Sequence, residues 1–230
     1  MQIINVIIPV FNESGSIGFV LNDIPKGIAD EVIVVNNGST DNTAEIARQH
    51  GATVLLEEKK GYGSACLKGM EYIRNKPMEM QPRIVVFIDG DYSDYPKQMS
   101  ALVKPILEQD IDMVIGSRAK GKRQSGSMAI QQVFGNWLAT TLMKWFFGAK
   151  FTDLGPFRAI KWEKLQMLGM RDKNYGWTVE MQIKAAKQKL KYIEIPVDYR
   201  KRIGKSKITG TIKGTIMAGY KIIATIFKYY

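Results

Sequence analysis

Short apolar runs rich in Ile and Val alternate with segments of helical period along the first half of this chain. The apolar runs cover residues 3–8, 31–36, 53–57, 84–88 and 113–116, and the helical segments cover 16–24, 43–50, 64–74 and 97–109. A strand that is apolar throughout is buried on both faces. Such strands, separated by helices, predict a mostly parallel sheet covered by helices, a Rossmann-like α/β layer. Right-handed crossovers make the layer doubly wound. Its ligands bind beyond the carboxyl ends of the strands, so the residues that follow each strand carry the function.

The second half changes character. Residues 120–127 form a basic loop rich in Gly and Ser, and 130–147 read as a helix rich in aromatics. Further strands are expected at 157–160 and 193–199, a helix at 178–188, a strongly basic stretch at 199–207 and a last helix at 209–230. We expect one domain over 1–207 and a C-terminal amphipathic helix over 208–230.

Composition narrows the chemistry. The chain has one cysteine, Cys66, and one histidine, His50. That excludes a disulfide framework and a Cys/His zinc site, and it argues against Ser-His or Cys-His catalysis. Any metal must sit on oxygen ligands. The 33 Lys and Arg against 22 Asp and Glu give a net charge of +11, which favours an anionic partner. No RNA-binding aromatic signature or helix-turn-helix pattern is present, so no nucleic-acid partner is expected. The apolar stretches 137–149 and 212–227 are interrupted by Lys144 and Lys221, and a spanning helix needs about 20 apolar residues. The chain is therefore expected in the cytoplasm, peripheral on the inner face of the membrane at most.

The motifs lie where the layer predicts. The run 84–88 ends in Asp89-Gly90-Asp91. Two carboxylates flanking a glycine suit a hard divalent cation, Mg²⁺ or Mn²⁺, bridging to a diphosphate. A solvated turn is the blander account. The first strand ends in Pro9-Val10-Phe11-Asn12-Glu13 and the second in Asn36-Asn37-Gly38-Ser39-Thr40-Asp41. Thr40 or Asp41 can cap the next helix, while the paired amides can read a nucleobase edge. After the third strand, Lys60-Gly61-Tyr62-Gly63-Ser64-Ala65 offers backbone amides and a lysine to a phosphate, or simply starts a helix.

Taken in order, these pieces resemble family 2 glycosyltransferases. The matching residues are 8–13, 34–43, 60–65, 87–91 and 115–118. The later D-L-G-P-F-R-A at 153–159 and R-I-G-K-S-K at 202–207 resemble the branch of dolichyl- and polyprenyl-phosphate sugar synthases. The resemblance implies a GT-A fold, a UDP- or GDP-linked sugar donor, a divalent metal and inversion at the anomeric carbon. It places Pro9, Phe11, Glu13, Asn36, Asn37, Lys60, Gly61 and Gly90 at the nucleotide, and Asp89 and Asp91 at metal and diphosphate. It places Arg118, Arg123, Arg202 and Lys205 at donor or acceptor phosphates. Asp153 and Glu180 are the acidic catalytic candidates near the acceptor. The family often has Asp where this chain has Asn36 or Asn37, and Arg where it has Val133.

Charge shapes the expected chemistry. A phosphate monoester with a second pKa of about 6 is already mostly dianionic at pH 7 and needs no base. A sugar hydroxyl would need one. A lipid phosphate is therefore the expected acceptor, with a glycan hydroxyl as the alternative. Structural accounts stand beside these roles: Glu180 as a surface helix residue paired with Lys184, and Asp153 paired with Arg158. In the last helix, Lys213, Lys221 and Lys228 share an arc of about 80° opposite Ile212, Ile216, Ile223 and Phe227. That pattern fits a helix on an anionic lipid surface or one packed on the core.

Overall fold

Each Ile- and Val-rich run becomes a strand; those starting at Ile4, Ile84 and Met113 are buried throughout, while the one at Thr53 is only partly buried and leaves Leu56 exposed. The strands are β1 (Ile4–Val10), β2 (Glu31–Asn36), β3 (Thr53–Leu56), β4 (Ile84–Phe87), β5 (Met113–Ser117), β6 (Arg158–Lys161) and β7 (Tyr192–Pro196). The helices are α1 (Ile17–Asp23), α2 (Thr43–Gln49), α3 (Tyr62–Arg74), α4 (Met99–Glu108), α5 (Ile130–Phe147), α6 (Trp162–Leu168), α7 (Trp177–Lys187) and α8 (Ile212–Tyr229). The computed structural model describes residues 4–204 and 212–230, with backbone alone for 212–216.

The strands form one sheet in the order β3-β2-β1-β4-β6-β5-β7. β6 runs antiparallel to both of its neighbours, and the other pairings are parallel. Alternate side chains feed two cores. Ile7, Ile33, Val85 and Phe87 pack with Cys66, Met70 and Trp177 on one face. Val6, Ile8, Val34 and Val86 pack with Ile17, Leu102 and Ile106 on the other. Trp177 meets Phe87 edge-on, with ring centroids 5.9 Å apart.

The reversed strand matters for the site. β6 begins at the carboxyl edge, where Arg158 stands opposite Phe87 and Ile115. The segment leading into it, including Asp153, is thereby delivered to the edge that carries Asp89. One strand end and one helix depart from the sequence expectation. The strand expected at 193–199 ends at Pro196, and Tyr199 instead bridges to Asp94 and Arg123. The short α6 has no sequence signal strong enough to separate it from a loop. Of the helix expected over 209–230, residues 209–211 lie outside the described residues.

Two of the three lysines of the arc, Lys221 and Lys228, can be examined on α8. Lys221 Nζ lies 3.1 Å from Asp172, and Thr225 and Ile226 form a buried face of the helix. The described part of α8 therefore packs on the protein along one face, against α5 and α7. Met217, Tyr220 and Phe227 remain exposed on another. Lys213, Ile212 and Ile216 have side chains outside the described residues.

Candidate nucleotide and metal site

A cleft of about 260 Å³ opens at the carboxyl edge between β1, β2 and β4. Pro9, Phe11, Glu13, Asn37, Lys60, Gly61, Asp89, Gly90, Asp91 and Arg202 all line it, joined by Tyr62 and Tyr175. Tyr62 sits inside the Lys60–Ala65 motif, so a motif reading could have included it. Tyr175 comes from the loop before α7 and has no sequence signal.

The walls are held by amides. Asn37 donates through Nδ2 to the carbonyls of Glu57 (2.9 Å) and Lys59 (2.8 Å), and its Oδ1 accepts the Gly61 N–H at 2.8 Å. Asn36 Oδ1 accepts the Ser39 N–H at 2.8 Å. In this structure both amides tie loops together, and Asn36 does not line the cleft. The N-cap of α2 is Asn42, not Thr40 or Asp41 as the sequence suggests, and Asp41 accepts the Thr43 N–H at 3.0 Å from the turn just before it. Lys60 Nζ sits 4.2 Å above the Phe11 ring and donates to the carbonyls of Asn37 and Gly38. This gives the cleft an aromatic wall backed by a cation.

The floor is acidic. Asp91 Oδ1 accepts the Ser93 N–H at 2.9 Å and the Ser93 hydroxyl at 2.5 Å. Arg202 donates to Glu13 Oε1 at 2.8 Å and lies 3.1 Å from Asp91 Oδ2, bridging the two acids. Asp89 Oδ1 is buried with no hydrogen-bond partner. Burial, then the charge of Asp91, push the Asp89 carboxyl up to about 7. A divalent cation on that oxygen would favour the ionised form. No group of three or more His, Cys, Asp or Glu converges among the described residues. Mg²⁺ and Mn²⁺ fit this pair all the same, because such ions use one or two carboxylates and take substrate phosphate for the rest.

Asp94 was not singled out by the sequence. It is 1% exposed, and neither carboxylate oxygen has a partner. Burial first, and the charge of Asp89 next, push its carboxyl well above the usual range. Tyr92, between Asp91 and Asp94, has φ of 64°, which is strained for an aromatic residue. Its hydroxyl is tied to Asp23 at 2.7 Å, and the Arg200 guanidinium stacks 3.3 Å from its ring centroid.

Of the other expected site residues, Arg118, Arg123, Asp153 and Glu180 lie outside the cleft lining. Arg118 grips Asp153 with a two-pronged contact of 2.8 and 2.7 Å, and its backbone N–H adds a third at 2.7 Å. Burial alone would raise Asp153, but the Arg118 charge and hydrogen bonds bring it below the usual carboxylate range. The partner of Asp153 is therefore Arg118, not Arg158. Arg158 is fully buried and donates to the carbonyls of Leu154, Gly155 and Thr178. Arg123 is exposed on the basic loop. Glu180 pairs with Lys184 at 2.7 Å, as the structural account expects, but it is fully buried where that account put it on the surface. Lys205 lies outside the described residues. His50 is exposed at the end of α2, with Nδ1 2.8 Å from the Ile46 carbonyl.

Known proteins agree with this architecture. The family model described as glycosyl transferase family 2 matches residues 5–169. An uncharacterised glycosyltransferase of Mycobacterium tuberculosis is 32% identical over 223 residues, covering 94% of each chain. The UDP-N-acetylglucosamine–dolichyl-phosphate N-acetylglucosaminyltransferase of Methanococcus voltae is 28% identical over 218 residues, covering 85% of each. Among solved structures, glucosyl-3-phosphoglycerate synthase from Mycobacterium tuberculosis, in complex with Mn²⁺, UDP and glucosyl-3-phosphoglycerate, superposes with a TM-score of 0.76. It is 22% identical, and the match covers 99% of this chain and 80% of that one. The fold is thus the GT-A α/β fold. The chain belongs to glycosyl transferase family 2, and it resembles the branch that makes polyprenyl-phosphate sugars.

Proposed function

We propose that the chain is a metal-dependent, inverting glycosyltransferase that moves a sugar from a nucleotide sugar to a polyprenyl phosphate. The observation that carries the donor half is the Asp89–Asp91 pair, with its orphaned buried oxygen, on the floor of a cleft walled by Phe11 and Lys60. Asp89 and Asp91 would hold Mg²⁺ or Mn²⁺, as the related synthase holds Mn²⁺ with UDP. When bound, the cation neutralises charge on the leaving diphosphate. Pro9, Phe11 and Lys60 wall the nucleoside, and Asn37 keeps the Gly61 loop against it.

The acceptor half is supported by the Methanococcus relative, which by its name uses dolichyl phosphate. It is also supported by the state of the possible bases. His50 is exposed at the end of α2, outside the cleft lining. Asp153 is gripped by Arg118, and Glu180 is buried under several donors. A phosphate acceptor brings its own nucleophile. One of its oxygens bonds to the anomeric carbon as the bond to the diphosphate oxygen breaks on the opposite face. The electron pair leaves with the nucleoside diphosphate, and no proton has to move. Arg202 would turn from Glu13 and Asp91 to the donor phosphates, while Arg118, Arg123 and Lys205 supply cations on the acceptor side.

A lipid acceptor calls for a surface to meet lipid. No helix among the described residues is long and apolar enough to cross a membrane. Ile130, Phe134 and Trp137 on α5, with Met217 and Tyr220 on α8, are exposed apolar side chains suited to a peripheral seat on the cytoplasmic face of a membrane. Donor binding is tested by thermal unfolding with UDP and GDP, each with Mn²⁺ or with EDTA. A ligand that binds only the native state raises its stability. The nucleotide should raise the melting temperature more with Mn²⁺ than with EDTA. Equal shifts would remove the metal from the site.

A further inference from the structure

Glu180 is fully buried 49 residues from Tyr229 in sequence, yet the two touch. The Tyr229 hydroxyl on α8 donates to Glu180 Oε1 at 2.6 Å. The same carboxylate accepts the backbone N–H of Arg171 at 3.0 Å and of Asp172 at 2.7 Å. Burial would raise its pKa, but the donors from Lys184, Tyr229 and these two amides bring it below the usual carboxylate range. A second tie lies about two turns away along the helix, where Lys221 of α8 reaches Asp172 at 3.1 Å. The other oxygen of Asp172 accepts the N–H groups of Asn174 (2.8 Å) and Gly176 (3.2 Å). The loop 171–176 is thus pinned from the side of α8.

Its opposite side presses on the cleft. The Lys173 carbonyl accepts the Ser64 N–H at 3.0 Å. A Cβ built on Gly61 would lie 2.0 Å from the Lys173 carbonyl oxygen, and one on Gly63 would lie 2.0 Å from that of Asp172. The nearest contacts are backbone against backbone, joined at Gly61 by the Asn174 side chain. Close-packed contacts of this kind transmit displacement. Gly61 lines the cleft, and so does Tyr175 from the middle of the pinned loop.

We infer that α8 is a strut of the donor site: Tyr229 and Lys221 hold the loop 171–176, which holds Gly61–Ser64 in the geometry that accepts the nucleotide. Glu180 is then a positioning residue that acts through the loop. The inference rests on the nucleotide-binding reading of the cleft and adds a remote control on it. Any movement of α8, including its seating on a surface, changes donor affinity.

The test compares the full chain with its Tyr229→Phe and Tyr230→Phe variants. Titration calorimetry with UDP and with GDP, in Mn²⁺, gives nucleotide affinity. Hydrogen exchange gives the opening of the Arg171, Asp172 and Ser64 amides. Tyr229→Phe should weaken nucleotide binding about fivefold and speed exchange at Ser64, and Tyr230→Phe should change neither. Faster exchange at Arg171 and Asp172 alone, with nucleotide affinity and Ser64 unchanged, would overturn the inference and leave Glu180 as a tie between helices. So would a Tyr229→Phe variant indistinguishable from the parent. Failure of the parent chain to bind either nucleotide overturns the donor reading instead, and exchange at Ser64 then still decides whether α8 braces the loop.

Discussion

Asp94 shows how much of the site is held against local preference. A buried carboxyl without partners is costly, on the order of 1–3 kcal/mol for an unsatisfied polar group. Here burial and the acids beside it favour the protonated form. The native state therefore holds this proton more tightly than the unfolded chain, whose Asp titrates near 3.9. Its contribution to stability falls as pH rises from that value through the raised native one. Asp94→Asn removes the titration. In EDTA, the variant should be more stable than the parent at pH 8, with the gap closing toward pH 5. Thermal unfolding across that range checks the sign, and a gap that widens on acidification would contradict it.

At the scale of elements, the Arg118–Asp153 contact joins the end of β5 to the segment that enters the reversed strand β6. Asp153 is 1% exposed, so removing its partner leaves a buried carboxylate unpaired. That costs about 3–5 kcal/mol, while replacing both partners with apolar groups is far milder. Arg118→Ala should lower the melting temperature by about 10 °C, given about 2–4 °C per kcal/mol for a chain of this size. The pair Arg118→Met with Asp153→Leu should recover most of that loss. Equal losses in the single and double variants would mean that the contact is not coupled. The exposed face of α5 makes a separate prediction. Co-sedimentation with anionic vesicles should be strong at low salt and fall as salt rises, since charges are screened over about 8–10 Å at 0.1–0.15 M. Trp137→Glu should weaken it several-fold. No binding at low salt would remove the lipid surface from the account.

Over the whole molecule, what the sequence makes legible is what depends on neighbours in the chain. Continuous apolar runs announce the strands, and Asp89-Gly90-Asp91 announces itself because β4 ends beside it. The direction of β6 is not legible, since it depends on which edge the chain has reached after α5. Nor is the fate of Asn37, an evident hydrogen-bonding residue whose partners at Glu57, Lys59 and Gly61 come from the loop between β3 and α3. Glu180 offers Lys184 as a local partner, and its link to Tyr229 appears only when α7 and α8 lie side by side. Residues tied over long separations carry no periodic signal. The central claim, transfer to a lipid phosphate by way of the Asp89–Asp91 pair, is tested most directly by one assay. The purified chain and its Asp91→Asn variant are incubated with Mn²⁺, radiolabelled UDP- and GDP-sugars, and in turn undecaprenyl phosphate, dolichyl phosphate and simple glycosides. The account predicts label in a lipid phosphate fraction with the parent chain and almost none with Asp91→Asn. Label in the glycoside and in neither lipid phosphate, or undiminished transfer by Asp91→Asn, would contradict it.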